Sequence, residues 1–189
     1  MSVMHTVSAW LYRGSSWLAI LGATALYVFF IATVMPEQST QSAAYAGDWG
    51  APDRHFFYTP DELYTAIASW GDTGRSDYIA FRLGLDIIWA LAYTAFLVTI
   101  TSKALAYAYP ANHPLRLLNL LPLITLLTDY AENALGIAIT GLWPGRYDLL
   151  VWLAAACTAT KWSSLLIAHA VMLFALTVAT RQRFVKQLK

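Results

Sequence analysis

The sequence predicts an all-α protein: a four-transmembrane-helix bundle with a long outer loop that contains a short interfacial amphipathic helix. Three observations carry this expectation. Of the 189 residues, 58% are hydrophobic and only 12% charged, whereas soluble domains are about a quarter charged. Four apolar stretches reach or approach the ~20 residues that cross a bilayer core as a helix. The polar segment between the first two carries its own helix-start signal. The length suits one integral membrane domain over 1–189. A formal net charge of +1 leaves no concentrated Lys/Arg surface, which excludes nucleic acid as a partner. Cys157 is the single cysteine, so neither an intrachain disulfide nor a CxxC redox pair can form. It reads as a small apolar residue.

The first span covers 17–35, from Trp17 to Met35, without a charge. Ala44-Tyr45-Ala46 has the small-residue pattern of a signal cleavage site, but it lies well beyond the apolar stretch, and a retained helix is expected. The second span, 79–102, must take Arg82 and Asp86 into its outer end. The third, 117–142, carries Asp129, Glu132 and Asn133 near its middle, and Pro122 is expected to kink it. The fourth, 149–180, is apolar apart from Lys161 and His169. At 1.5 Å per residue it measures roughly 48 Å and must tilt or protrude. A tail over 181–189 follows.

Orientation follows from the bases. Arg13, Lys103, Arg116, Arg181, Arg183, Lys186 and Lys189 flank the spans on one side, while residues 36–78 hold seven acids against Arg54 and Arg75. The positive-inside rule places the first group, and both termini, in the cytoplasm, and 36–78 outside. Trp17, Trp143, Tyr147 and Trp152 are the expected interfacial anchors.

Within the outer loop, 36–58 lacks sustained periodicity and reads as irregular. Thr59-Pro60-Asp61-Glu62 then puts a capping hydroxyl, a first-turn proline and a reciprocal carboxylate in helix-starting order. A helix over about 60–70 follows, with Leu63, Ile67 and Trp70 on one face, joined by Tyr64, and Gly71 as its stop. It is expected to lie on the outer membrane surface or over the bundle mouth, as a packing lid or as a gate formed by Tyr64, Trp70 and Arg75. Gly71-Asp72-Thr73-Gly74-Arg75 reads as a sharp turn into the membrane; a phosphate-binding backbone nest partnered by Arg75 is the alternative.

The chemistry-bearing residues are the charges inside the apolar stretches, which are costly at membrane depth and so are paired or used. Arg82 and Asp86 are four residues apart and share a helix face, which Tyr93 extends by a heptad. Asp129, Glu132 and Asn133 share a face by three- and four-residue spacing, and Lys161 enters the fourth span at a comparable depth. Two cations would then meet three carboxylates. Not all three ionise cheaply in low dielectric, so one should keep its proton, with Glu132 or Asp129 the candidate. The competing reading is structural: Arg82–Asp86 as a local ion pair, with Lys161 neutralising Asp129 or Glu132. His169 reads as hydrogen-bonded packing, and His5, His55 and His113 lie outside the spans, so no second haem ligand is at hand. No HExxH or Glu-x-x-His pattern supports a metal, and Ser163 and Ser164 lack a nucleophile-elbow context. No cofactor or metal is expected.

The set Phe57-Tyr58-Thr59, Glu62-Leu63-Tyr64, Gly71-Asp72-Thr73-Gly74-Arg75, Leu85-Asp86-Ile87-Ile88-Trp89, Asp129-Tyr130-Ala131-Glu132-Asn133 and Thr160-Lys161-Trp162 resembles a pattern in uncharacterised bacterial four-helix membrane proteins. The resemblance covers 57–175 and implies a bacterial inner-membrane location without implying an activity. The layout of one helix, a long loop with a short helix, then three linked helices is also similar to the sterol-binding and sterol-isomerase family related to emopamil-binding protein. That similarity of architecture implies membrane-buried acids facing a cationic ligand.

The function expected from the residues is binding or passage of a small amphipathic or charged ligand at the polar cluster, with the lipid bilayer as surroundings. An intramembrane enzyme using the carboxylates as acid and base on a lipid-like substrate is one alternative. A structural partner, as homo-oligomer or with another membrane protein docking on Gly22 and Ala25, is the other.

Overall fold

The computed structural model describes residues 3–47 and 49–187. Among them every regular element is helical: α1 (Val3–Gly14), α2 (Trp17–Phe29), α3 (Met35–Ala46), α4 (Pro60–Ser69), α5 (Gly71–Leu83), α6 (Leu85–Ala108), α7 (Leu121–Gly141) and α8 (Asp148–Gln187), with short 3-10 turns at Pro52–Arg54 and Pro114–Leu120. Three continuous stretches are long and apolar enough to cross a membrane: Trp17–Ala46, Gly71–Ala108 and Asp148–Gln187. Helix α7 has 21 residues but is not among them, because Asp129, Glu132 and Asn133 sit in its middle.

The first of these stretches corrects the expected irregular start of the outer loop. The helix does not stop at Pro36 but runs on to Ala46, through a π-helical turn at Phe30–Val34. Proline's ring collides with the carbonyl four residues earlier in an ordinary helix. Here that residue is Ala32, inside the widened turn, which relieves the collision. Gly47, with φ of 57°, ends the helix. Pro122 also departs from expectation: it lies in the first turn of α7, where its missing N–H is harmless, so it starts the helix rather than kinking it.

The chain divides into two compact units. One comprises residues 28–91 and 126–162. Its core joins Leu63, Tyr64 and Ile67 of α4 and Trp70 at its end to Tyr78 of α5, Ile139 of α7 and Val151 and Ala155 of α8. The capping box forms as its spacing predicts: the Thr59 N–H donates to Glu62 Oε2 at 2.8 Å, and the Glu62 N–H donates to the Thr59 hydroxyl at 3.4 Å. Arg146, in the turn between α7 and α8, pairs with Asp148 at 2.7 Å and with Asp61 of α4. The Tyr147 N–H donates to the Tyr64 hydroxyl at 2.6 Å. Together these contacts fasten α4 to the turn. Gly71–Arg75, read as a turn, is the opening of α5, where the Arg75 guanidinium donates to the Ile67 carbonyl at 3.1 Å and to Asp72 at 2.5 Å.

The other unit comprises residues 3–27, 92–125 and 163–187. Small buried residues, Ala104 and Ala175 beside Leu105, let its helices approach closely. Helix α1 went unforeseen because its anchors are polar. The Ser8 hydroxyl donates to Asn119 Oδ1 at 2.8 Å, Asn119 Nδ2 donates to the Ser102 hydroxyl at 3.1 Å, and the Tyr12 hydroxyl donates to the Arg116 carbonyl at 2.8 Å. The Thr125 and Ser164 hydroxyls meet at 2.9 Å.

Two substitutions test this packing. Thr59→Ala removes the cap and should cost about 1 kcal/mol in detergent unfolding, with faster amide exchange confined to α4. A Cβ at Gly136 of α7 would collide with the buried Tyr78 hydroxyl. Gly136→Ala should therefore destabilise by about 1–3 kcal/mol, while Gly22→Ala, with open space around its Cα, should be neutral or slightly stabilising.

Candidate functional site

Arg82 ends α5, where a cation suits the helix C-terminus, and Asp86 opens α6, where an anion suits the N-terminus. Gly84 separates the two helices. The Arg82 guanidinium is only 2% exposed. Its Nη1 donates to Asp86 Oδ2 at 2.7 Å and to Asn133 Oδ1 of α7 at 2.8 Å. Its Nη2 lies 3.0 Å from Asp53 Oδ1, and the group sits 5.1 Å over the Tyr78 ring.

Asp53 belongs to the 3-10 turn Pro52–Arg54, and the Trp162 indole N–H donates to its carbonyl at 3.0 Å, fixing the turn. Burial works against ionisation of this carboxyl. The Arg82 guanidinium and the Lys161 ammonium outweigh that cost and hold it below the ordinary aspartate value.

The second half of the cluster forms between α7 and α8. Lys161 Nζ lies 2.7 Å from Glu132 Oε2 and 3.9 Å from Asp129 Oδ1, and all three residues are buried. Two cations thus serve four carboxylates, one more than the sequence suggested. The hydrogen bonding is also incomplete: among the described residues Arg82 Nε, Glu132 Oε1 and Asn133 Nδ2 are buried without a hydrogen-bond partner. Each orphaned buried polar atom costs on the order of 1–3 kcal/mol.

The cluster opens on a cavity of about 180 Å³ between α3 and the α5–α6 break. Asp53, Arg82 and Asp86 supply charge, Gln38 and Ser42 supply neutral polar groups, and Tyr78 and Trp89 supply aromatic wall. The Asp53 side chain is 27% exposed and forms the accessible edge. The volume admits several waters or one small polar molecule. It is below the roughly 300–1,000 Å³ of pockets that take drug-sized ligands.

The structure therefore brings together Arg82, Asp86 and Asn133, and likewise Asp129, Glu132 and Lys161. Tyr93 is buried in the other unit. Tyr64 and Trp70, expected as gate residues, are buried in the core of the cluster's unit, and Arg75 stacks 5.6 Å from the Trp143 ring. His169 bonds the Leu165 carbonyl of its own helix at 2.8 Å. Asp53 escaped sequence reasoning. It lies in a stretch without periodicity, outside the apolar spans whose charges stand out.

Removing one partner from the buried pair isolates the charge of the other. Lys161→Met should destabilise by about 3–5 kcal/mol, and Lys161→Met combined with Glu132→Leu should recover part of the loss, Asp129 being left without its cation. For Asp53 the pH dependence has a defined sign. Its depressed value adds stability above the unfolded carboxylate value of about 3.9, lost as pH falls through the folded one. Wild type should exceed Asp53→Asn in unfolding midpoint at pH 7, and the difference should shrink below about pH 4.

Compared with known protein families, characterised proteins and solved structures, the chain matches none.

Proposed function

We propose that the chain is a multi-pass protein of the bacterial inner membrane that binds or passes a small charged ligand at the Arg82–Glu132 cluster. In this reading α7 is the fourth span. Its polar residues face Arg82 and Lys161 rather than lipid, so its modest hydropathy is no bar to insertion. Both termini lie in the cytoplasm. In support, all eleven acids of the sequence fall in the unit formed by 28–91 and 126–162, while the segments of the other unit contain none. Arg13, Lys103, Arg116, Arg181, Arg183 and Lys186 all belong to that acid-free unit, as the positive-inside rule requires of one membrane side.

The observation that carries the reading is the under-neutralised cluster of four carboxylates and two cations beside a small polar cavity. An excess of acid in a low-dielectric site favours a positive occupant: a proton or a small organic cation. Arg82 Nε, Glu132 Oε1 and Asn133 Nδ2, without a hydrogen-bond partner among the described residues, offer donors and an acceptor to a small polar occupant. A volume near 180 Å³ is too small for a sterol-sized substrate, which weighs against the lipid-like enzyme reading.

Infrared carboxyl bands of the reconstituted protein test this. Carboxyl bands recorded from about pH 5 to 8 should change with pH, and that change should be lost when Asp129→Asn or Glu132→Gln removes the carboxyl that carries it. Methylammonium should displace the proton and lower the midpoint. A spectrum unchanged across that range, with and without methylammonium, would sink the proposal and leave a static ion-pair network.

A further inference from the structure

The unit without acids contains a second, larger cavity. Its volume is about 820 Å³, and it lies between the start of α2, the end of α6 and the end of α8. Ile20, Ile100 and Leu176 provide apolar wall, and Lys103, Arg183 and Lys186 provide three cations. Lys103 Nζ sits 5.1 Å from the Trp17 ring and 6.0 Å from the Tyr107 ring, both of which line the cavity. The aromatic faces orient this ammonium without neutralising it.

No described carboxylate lies within ion-pair distance of these three cations, and the segments of this unit contain no acid with which to form one. Ala104 and Ala179 continue the apolar lining, and Trp17 beside them is an exposed aromatic of α2. A uniformly cationic mouth joined to a long apolar wall complements one kind of occupant, an anionic head on an acyl chain. Free phosphate would satisfy the cations but leave the wall uncovered, and a zwitterionic lipid would bring its own cation against Lys103, Arg183 and Lys186.

We propose that this cavity is a binding site for an anionic phospholipid, with the phosphate among Lys103, Arg183 and Lys186 and the acyl chain along Ile20, Ile100 and Leu176. The site shares the bilayer with the reading of the polar cluster and shares none of its residues. Each cation near an anionic lipid surface contributes on the order of fivefold in affinity, and aromatic residues at headgroup level anchor the same region.

The test uses the full chain in phosphatidylcholine vesicles doped with chain-brominated phosphatidylglycerol or, separately, chain-brominated phosphatidylcholine. Bromine quenches nearby tryptophan, and Trp17 lines the cavity. The expected result is saturable quenching by the anionic lipid at several-fold lower mole fraction than by the zwitterionic one, lost in Trp17→Phe. Lys103→Gln/Arg183→Gln/Lys186→Gln should raise the required mole fraction by at least tenfold, and Lys103→Arg should retain most of the preference. Inorganic phosphate should not compete. Equal quenching by the two lipids, a preference unmoved in the folded triple variant, or competition by inorganic phosphate would overturn the assignment. Circular dichroism checks folding. If the triple variant fails to fold, Lys186→Gln alone, exposed at the end of α8, decides: a loss of at least threefold supports the site and no change overturns it. The lipid preference is read at Trp17 and the cluster at its carboxyl bands, so failure here is separable from failure of the cluster.

Discussion

A guanidinium with almost no access to solvent is the constraint on which the cluster's unit depends. Desolvating a cation costs several kcal/mol unless partners satisfy it. Arg82 finds three from three places in the sequence: Asp53 from the Pro52–Arg54 turn, Asp86 from the first turn of α6 and Asn133 from α7. A buried Arg82 therefore requires all three segments to converge. The turn is held in place by Trp162, while the break at Gly84 puts the cationic end of one helix beside the anionic start of the next. Tyr78 serves twice, stacking on the guanidinium and filling the space that Gly136 leaves open.

Lys161 repeats the arrangement, one cation to two carboxylates, with looser geometry. One ammonium faces two carboxylates at unequal distance, close to Glu132 and loose to Asp129. A network built only for rigidity would match charge to charge and satisfy every donor and acceptor, since half-satisfied polar groups in low dielectric weaken a core. The excess acid and the unmet atoms of Arg82, Glu132 and Asn133 depart from that pattern, and Arg82, Asp53 and Asp86 border the small cavity.

The two units divide the chain's charge as well as its contacts. The acids and their buried partners gather in one, while the other carries bases alone. Bases without acids cannot neutralise one another, so they point to surroundings that supply negative charge. For helices of this apolarity the proposed membrane surface would supply it. One division of charge thereby supports both the proposed orientation and the lipid site.

The sequence by itself determined what local periodicity encodes. Helical spacing placed Asp129 with Glu132 and Asn133 on a common face of α7, whereas Arg82 and Asp86, read as one helix face, meet across the break at Gly84. Thr59 and Glu62 announced the start of α4 through a cap that needs only four residues. The length and apolarity of three helices followed from composition. Tertiary structure alone decided what depends on partners distant in the chain. The role of Asp53 is invisible in a stretch without period and appears only when the turn folds over Arg82. Helix α1 owes its place to Ser8 and Tyr12 reaching Asn119 and Arg116, more than a hundred residues away. The passage of helix through Pro36 rests on a π turn that no residue pattern announces. For Asp53 and α1 the deciding energy is the satisfaction of a buried polar group by one distant in the chain, and spacing along a helix carries no record of it; at Pro36 it is a local widening of the helix.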